Sequence, residues 1–363
     1  MTIIETMHDR NDGYYLDQIR VILVSVVIFL NMSGVFGQAT PWYVKIGTPD
    51  PVTSFISTWF VGVLRPWLLG VFFLVTGAIA VRIYESRHKG FTESRLVKLG
   101  IPSLLYIVLV NPLLVFAGRQ GTTTLASFVT DEWLKFKVIG TGPLWFAIIL
   151  FFCSVSLPPV VTKLRFDKIK FPSWMNIAIF GLVLSVATFV VRIWVPVGTF
   201  LWGFHLAFMP QFLVMPFVGM AAWQSGWLER TTNRQFRICL AIMLACVCVW
   251  PLISSQPFNG GMTVQSVVRV LWESVLLISA SFVFIHGAGI WLNRRTKLWD
   301  FLTETGYGVY VLHAIVLVFV ALTFGNASLH PLVLWLALSA LCVPLTFVLA
   351  WAARLVPILK KIL

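Results

Sequence analysis

Chemistry in this sequence rests on the ionisable and amide side chains that interrupt its apolar runs. At bilayer depth such a group is costly unless it faces a cavity or a partner. The first apolar run carries Asp17, Arg20 and Asn31. Arg20 and Asn31 are eleven residues apart, a spacing that returns to about the same helix face ~16 Å further along the axis. The stripe is read either as an interfacial arginine plus an amide bonding a neighbouring helix, or as a polar path into the membrane. A later run holds Gln265, Arg269 and Glu273 at successive i, i+4 positions. There the Arg–Glu pair neutralises itself along one helix, or Glu273, near mid-membrane, serves as an acid or base. His313 follows Tyr310 by one turn and leans to a similar side; it is a satisfied structural histidine or an acid–base group. Arg65 and Arg192 fall in the outer halves of their runs, where each snorkels outward or pairs with Glu273. His205 and His286 lie nearer the ends of theirs. Arg95 and Lys98 form an R-x-x-K step just before a helix. They set topology and attract anionic lipid, or they bind a phosphorylated ligand.

Positioning these residues requires membrane helices. Of 363 residues, 58 % are hydrophobic and only 11 % charged, about half the charge fraction of an average soluble domain. The pattern predicts an all-α, polytopic membrane helical bundle of about ten transmembrane helices. Expected spans are 16–36, 56–81, 99–117, 141–161, 174–194, 205–226, 238–254, 264–290, 299–323 and 332–357. The net charge of +13 is no nucleic-acid signal, because the cations cluster in every second short loop. Examples are Arg82 to Lys98, Lys163 to Lys170, Arg230 to Arg237, Arg294 to Lys297, and Lys360 with Lys361. That alternation is the positive-inside pattern and predicts both ends in the cytoplasm. Residues 1–363 read as a single membrane domain with a short cytoplasmic N-terminal segment, 1–13, and a retained first helix. All five cysteines lie inside apolar runs without metal or redox spacing. No glycine-rich phosphate loop, HExxH, CxxC or GxSxG motif is present, so neither a metal nor a tightly bound cofactor is expected.

In order along the chain stand YYLDQIR (Tyr14–Arg20), FFLVTG (Phe72–Gly77), FTESRLVKLGIP (Phe91–Pro102), GPLWF (Gly142–Phe146), ATFVVRIWVPVG (Ala187–Gly198), FMPQFLVMPFVGMAAWQSGWL (Phe208–Leu228), LWES (Leu271–Ser274) and YGVYVLHA (Tyr307–Ala314). With these segments the chain resembles the acyltransferase-3 family of membrane acyltransferases. The likeness is to its short branch without an attached esterase domain, which includes proteins similar to the periplasmic-glucan succinyltransferase.

The resemblance implies transfer of an acyl group from cytoplasmic acyl-CoA, as co-substrate, to a hydroxyl of a glycan or lipid-linked acceptor in a bacterial-type inner membrane. It associates Arg95 and Lys98 with the acyl donor and matches Arg20 to the arginine of a first-helix Arg–His pair. It matches His313 to a late Tyr-x-x-His position, and Glu273 and Arg192 to polar residues common in the branch. The expected catalytic set is Asn31, Glu273, His313 and Arg20. The expected substrate-binding set is Arg95, Lys98, Arg65, Arg192 and Tyr310. Three positions depart from the family pattern. Asn31 stands where the first-helix catalytic histidine is expected, Ala147 where many relatives in the branch carry an acid after GPLWF, and Lys98 where the basic step has a second arginine. An amide cannot take a hydroxyl proton as an imidazole does. The expected enzyme therefore uses Glu273 or His313 as base, with Asn31 orienting or polarising a carbonyl. A non-catalytic ligand-binding or sensor member of the same fold, and a small-molecule or glycan transporter, are the alternatives.

Overall fold

The computed structural model describes residues 13–36, 42–46, 50–201, 203–254 and 258–363. The polar segment 1–13 lies outside the described residues except for Gly13. Among the described residues ten helices are long and apolar enough to cross a bilayer. They are α1 (Tyr14–Val35), α2 (Pro51–Ser86), α3 (Phe91–Gly118), α4 (Gly142–Leu164), α5 (Trp174–Trp194), α6 (Leu206–Gln224), α7 (Asn233–Ile253), α8 (Val264–Trp291), α9 (Lys297–Phe324) and α10 (Pro331–Arg354). Each expected span therefore has its helix in an all-α bundle.

Side-chain caps explain several starts. Asp50 accepts from the Val52 and Thr53 amides at the start of α2, and Thr53 holds its carboxyl below the usual carboxylate range. Thr232 and Gln235 form a reciprocal capping box on α7, and Thr263 and Thr296 cap α8 and α9. Such caps satisfy backbone donors that the first helical turn leaves open.

Two spans differ from expectation. At 36 residues, α2 is ~54 Å long, well beyond the ~30 Å of a hydrocarbon core. Its polar ends belong to the helix because hydrogen bonding, not hydropathy, sets where a helix stops. Likewise α3 begins at Phe91, so Arg95 and Lys98 lie within the helix, not in a loop before it. This helix contains two wide, five-residue π turns, Leu96–Gly100 and Tyr106–Val110. Pro102 and Pro112 lack the N–H that would bond back to Lys98 and Val108, one residue inside each turn, which accounts for the widening.

Hydrogen bonds tie the basic loops together at one end of the bundle. Tyr14 Oη donates to Asp300 (2.6 Å), Arg82 to Asp17 (3.1 Å), Gln18 to the Arg294 carbonyl (3.1 Å) and Gln224 to Glu85 (2.7 Å). At the centre α1 and α2 are enclosed by their neighbours, whereas α5 and α7 are peripheral. The most apolar stretch is 78 % buried in α2 but only 22 % in α5 and α7, so those two present most of their surface to lipid. The closest approach is α2 against α6. A Cβ at Gly219 would strike the Leu74 carbonyl, and one at Gly77 the Pro216 backbone. Small residues permit such contact in membranes, where no hydrophobic effect drives helices together. Gly219→Val is therefore expected to cost about 3 kcal/mol, read as a lowered thermal midpoint in detergent. An unchanged midpoint would show that α6 can move off α2 freely.

Candidate active site

Three cavities form a line through the bundle. The first, about 300 Å³, opens among the basic loops. Its lining brings five cationic side chains together, Arg20, Arg95, Lys98, Arg354 and Lys360, against two acidic side chains, Asp17 and Glu304. Asp17 is engaged by Arg20 (2.9 Å) and Arg82 (3.1 Å). Arg20 Nε, Arg95 Nε and the Tyr307 hydroxyl are buried without a hydrogen-bond partner among the described residues. Unpaired buried donors are costly, so this cavity is built to receive acceptor oxygens. Ala147 also lines it, leaving it without the acid that the family pattern would add there.

A small neck of about 60 Å³ follows, lined by Asn31, Arg65, Pro143, Phe146, His205 and Tyr310. Phe146 and Tyr310 also line the first cavity, so these two rings form the partition between them. Beyond the neck lies a chamber of about 470 Å³ at the end away from the basic loops. It is bordered by Trp42, Tyr43, Asn111, Trp145 and Phe200, and shares Asn31, Pro143, Trp145 and His205 with the neck. The Gly142–Phe146 segment thus contributes to all three. Gly142 adopts a positive φ of 49°, and a side chain there would collide with Tyr43 and Tyr106. Its turn presents the Pro143 carbonyl to the Tyr310 hydroxyl (2.5 Å). Tyr43 Oη, bonded to Asn111 (2.6 Å) and Tyr106 (3.0 Å), ties the chamber wall to α3.

Asn31 and His313, 282 residues apart, meet at 2.9 Å between Nδ2 and Nε2. His313 Nδ1 lies 2.6 Å from the Tyr310 carbonyl. A carbonyl only accepts, so Nδ1 carries the hydrogen and bare Nε2 of the neutral ring accepts from Asn31; the network assigns this tautomer. His313 is fully buried behind Asn31 and lines none of the three cavities. The amide, not the imidazole, faces the route.

Glu273 and Arg192 also stand off the route. Glu273 accepts from Arg192 (2.6 Å) and Arg269 (3.1 Å), and Arg269 donates on to Asn259 (2.6 Å). This is a buried ion triad of two cations and one anion. Arg192 Nε donates to the Ala207 carbonyl (3.2 Å), and its guanidinium lies over the Phe208 ring at 4.8 Å. The triad therefore grips the 205–208 turn at the mouth of α6. His205, at the start of that turn, lines both neck and chamber, its ring packed between Trp145 (5.0 Å) and Phe200 (4.7 Å). Its ring nitrogens make no hydrogen bond among the described residues, and neither does the Arg65 guanidinium. In the sequence His205 reads only as a span-end histidine. The one available signal is its place thirteen residues after Arg192, across a turn whose path the sequence does not reveal.

The arrangement is a cationic pocket at one end, a neck with an amide, a guanidinium and an imidazole, and an aromatic chamber beyond. The family model for the acyltransferase-3 acyltransferase domain matches residues 14–351. No curated protein and no solved structure matches the chain. With a match over nearly its whole length and ten membrane helices, the chain belongs to the acyltransferase-3 family and is a multi-pass membrane acyltransferase-type protein.

Proposed function

We propose that the protein moves an acyl group from acyl-CoA, bound at the basic-loop end, to a hydroxyl of a glycan or lipid-linked acceptor held in the aromatic chamber. The single observation behind this reading is the line of cavities, with its cations at one end and Asn31, Arg65 and His205 at the narrow middle. In this reading the basic loops face the cytoplasm of a cell inner membrane. Arg95 and Lys98, with Arg20 and Arg354, hold the phosphates of the CoA nucleotide. The acyl end passes Phe146 and Tyr310 into the neck. The acceptor hydroxyl attacks the thioester carbonyl carbon; a C–O bond forms, the C–S bond breaks, and the thiolate leaves on the CoA side. His205 takes the hydroxyl proton. Arg65 meets the charge growing on the carbonyl oxygen, where a cation in a dry site acts most strongly. Asn31, its Nδ2 occupied by His313, offers Oδ1 to orient the hydroxyl. Trp42, Trp145 and Phe200 supply flat apolar faces of the kind that line small-ligand pockets.

Purified protein in detergent should release free CoA from acyl-CoA only when a hydroxyl acceptor is present, with a mass gain on the acceptor equal to one acyl group. Binding of acyl-CoA with no release for any glycan or lipid fraction would favour the non-catalytic, ligand-binding alternative. The amide at position 31 favours that alternative too. Asn31→His would then create turnover at similar donor affinity, measured by the same CoA assay.

Donor binding carries its own prediction. Arg95→Ala should weaken acyl-CoA binding about 10- to 100-fold, with the loss shrinking as salt is raised. Titration calorimetry checks it, and an unchanged dissociation constant would remove the first cavity from the donor role.

A further inference from the structure

A cavity larger than any on the route just described lies away from it. It is a groove of about 520 Å³ at the basic-loop end, between α5, α6 and α8, roofed by the 166–172 segment that precedes α5. Its walls are apolar, with Phe180, Phe217, Ile278 and Phe282 typical. The volume falls in the usual range for a bound small molecule. Peripheral α5 packs on α8, where Ser185 bonds Ser274 at 2.8 Å, while α6 is drawn the other way onto α2. The gap between α5 and α6 is the groove. The close α2–α6 contact walls it off from the donor cavity: Leu74 lines the groove, whereas Thr76 and Ile79 line the cavity.

The rim carries the charge. Two segments meet there, joined by bonds from Trp227 Nε1 to the Ile169 carbonyl (3.1 Å) and from Ser225 Oγ to the Phe166 carbonyl (2.9 Å). Lys170 lines the groove itself. Arg165, Lys168 and Arg230 are exposed beside it, outnumbering the local acids Asp167 and Glu229. Among the described residues none of these four cations is in an ion pair. A tryptophan at the same level is the usual marker of the membrane–water boundary. An apolar slot below unpaired cations at that boundary is complementary to one molecule class, a hydrocarbon chain under an anionic phosphate.

We propose that this groove binds an anionic phospholipid, one acyl chain between α5, α6 and α8 and the headgroup phosphate on Lys170 and Arg230. The site is separate from the acyl-transfer route and does not depend on it. The test is native mass spectrometry of the whole protein in mild detergent. It is titrated with phosphatidylglycerol or phosphatidylcholine of identical chains, with thermal midpoints measured in parallel. Wild type should retain one phosphatidylglycerol well above phosphatidylcholine. Lys170→Gln and Arg230→Gln should each erode that preference about fivefold while leaving phosphatidylcholine binding unchanged. Val218→Trp, which fills the groove, should abolish retention of both lipids; should it not fold, Ser281→Leu is the smaller filling variant. Equal retention of the two lipids by wild type, or a preference unmoved by both glutamine variants, would overturn the proposal. So would a folded filling variant that keeps its lipid.

Discussion

His205→Ala should lower kcat for acyl transfer by about 10²- to 10⁴-fold, the usual contribution of a positioned general base, with acyl-CoA affinity unchanged. The two effects separate because His205 lines the neck and the aromatic chamber but not the cationic cavity at the basic-loop end. His205→Gln should be nearly as slow, since an amide keeps the shape and a hydrogen bond but takes no proton. Added imidazole should recover part of the rate in the alanine variant, because the vacated ring space opens onto the roomy chamber. Wild-type kcat should fall on acidification as a single group protonates, and the alanine variant should lose that limb. Single-turnover CoA release across pH reads all of this. A His205→Ala enzyme running near wild-type speed, with His313→Gln dead, would instead move the base to His313 and require Asn31 to swing aside.

Glu273→Gln is the second large effect, and it acts through position. Removing this carboxylate leaves Arg192 and Arg269 as buried cations without a counter-ion. Arg192 is 0 % exposed at its side chain and Glu273 5 %, so water does not compensate. Breaking a buried pair from one side typically costs about 3–5 kcal/mol, a large share of the ~5–15 kcal/mol that holds a domain folded. The thermal midpoint should drop accordingly. The folded fraction should show reduced kcat with donor affinity intact, because Arg192 loses its hold on the Ala207 carbonyl and the His205 turn loosens. Replacing the triad with apolar residues (Arg192→Met, Glu273→Leu, Arg269→Met) should restore much of the stability, as such swaps often do, but not kcat. If the triple variant recovered both, the triad would have no positioning role. If Glu273→Gln were as stable as wild type and inactive, Glu273 itself would be the base.

Much of the cationic cavity was legible in the sequence. Arg20, Arg95 and Lys98 announce themselves as cations next to apolar runs, and once α3 is helical from Phe91 both Arg95 and Lys98 line the same cavity. The Arg269–Glu273 pair was legible for the same local reason, and Arg192 was recognisable as one of its possible partners. The middle of the route was not legible. Asn31 and His313 sit 282 residues apart, and nothing in either helix states that an amide on α1 covers an imidazole on α9. His205 looked like a span-end residue because its importance comes from a turn held by Arg192, from a different helix, and aimed at a third.

By itself the sequence determined the number and approximate limits of the membrane helices, the shared end of the basic loops and the cationic step on α3. Hydropathy, capping residues and charge act within a few residues of one another, so a linear string records them. Only the tertiary structure decided which polar groups share the neck, that His205 faces it, and that Glu273 is held away from it. Helices apolar on nearly every side do not record which face turns inward. That rotation is settled by contacts such as Gly77 on Pro216 and Gly219 on Leu74, between residues distant in the chain.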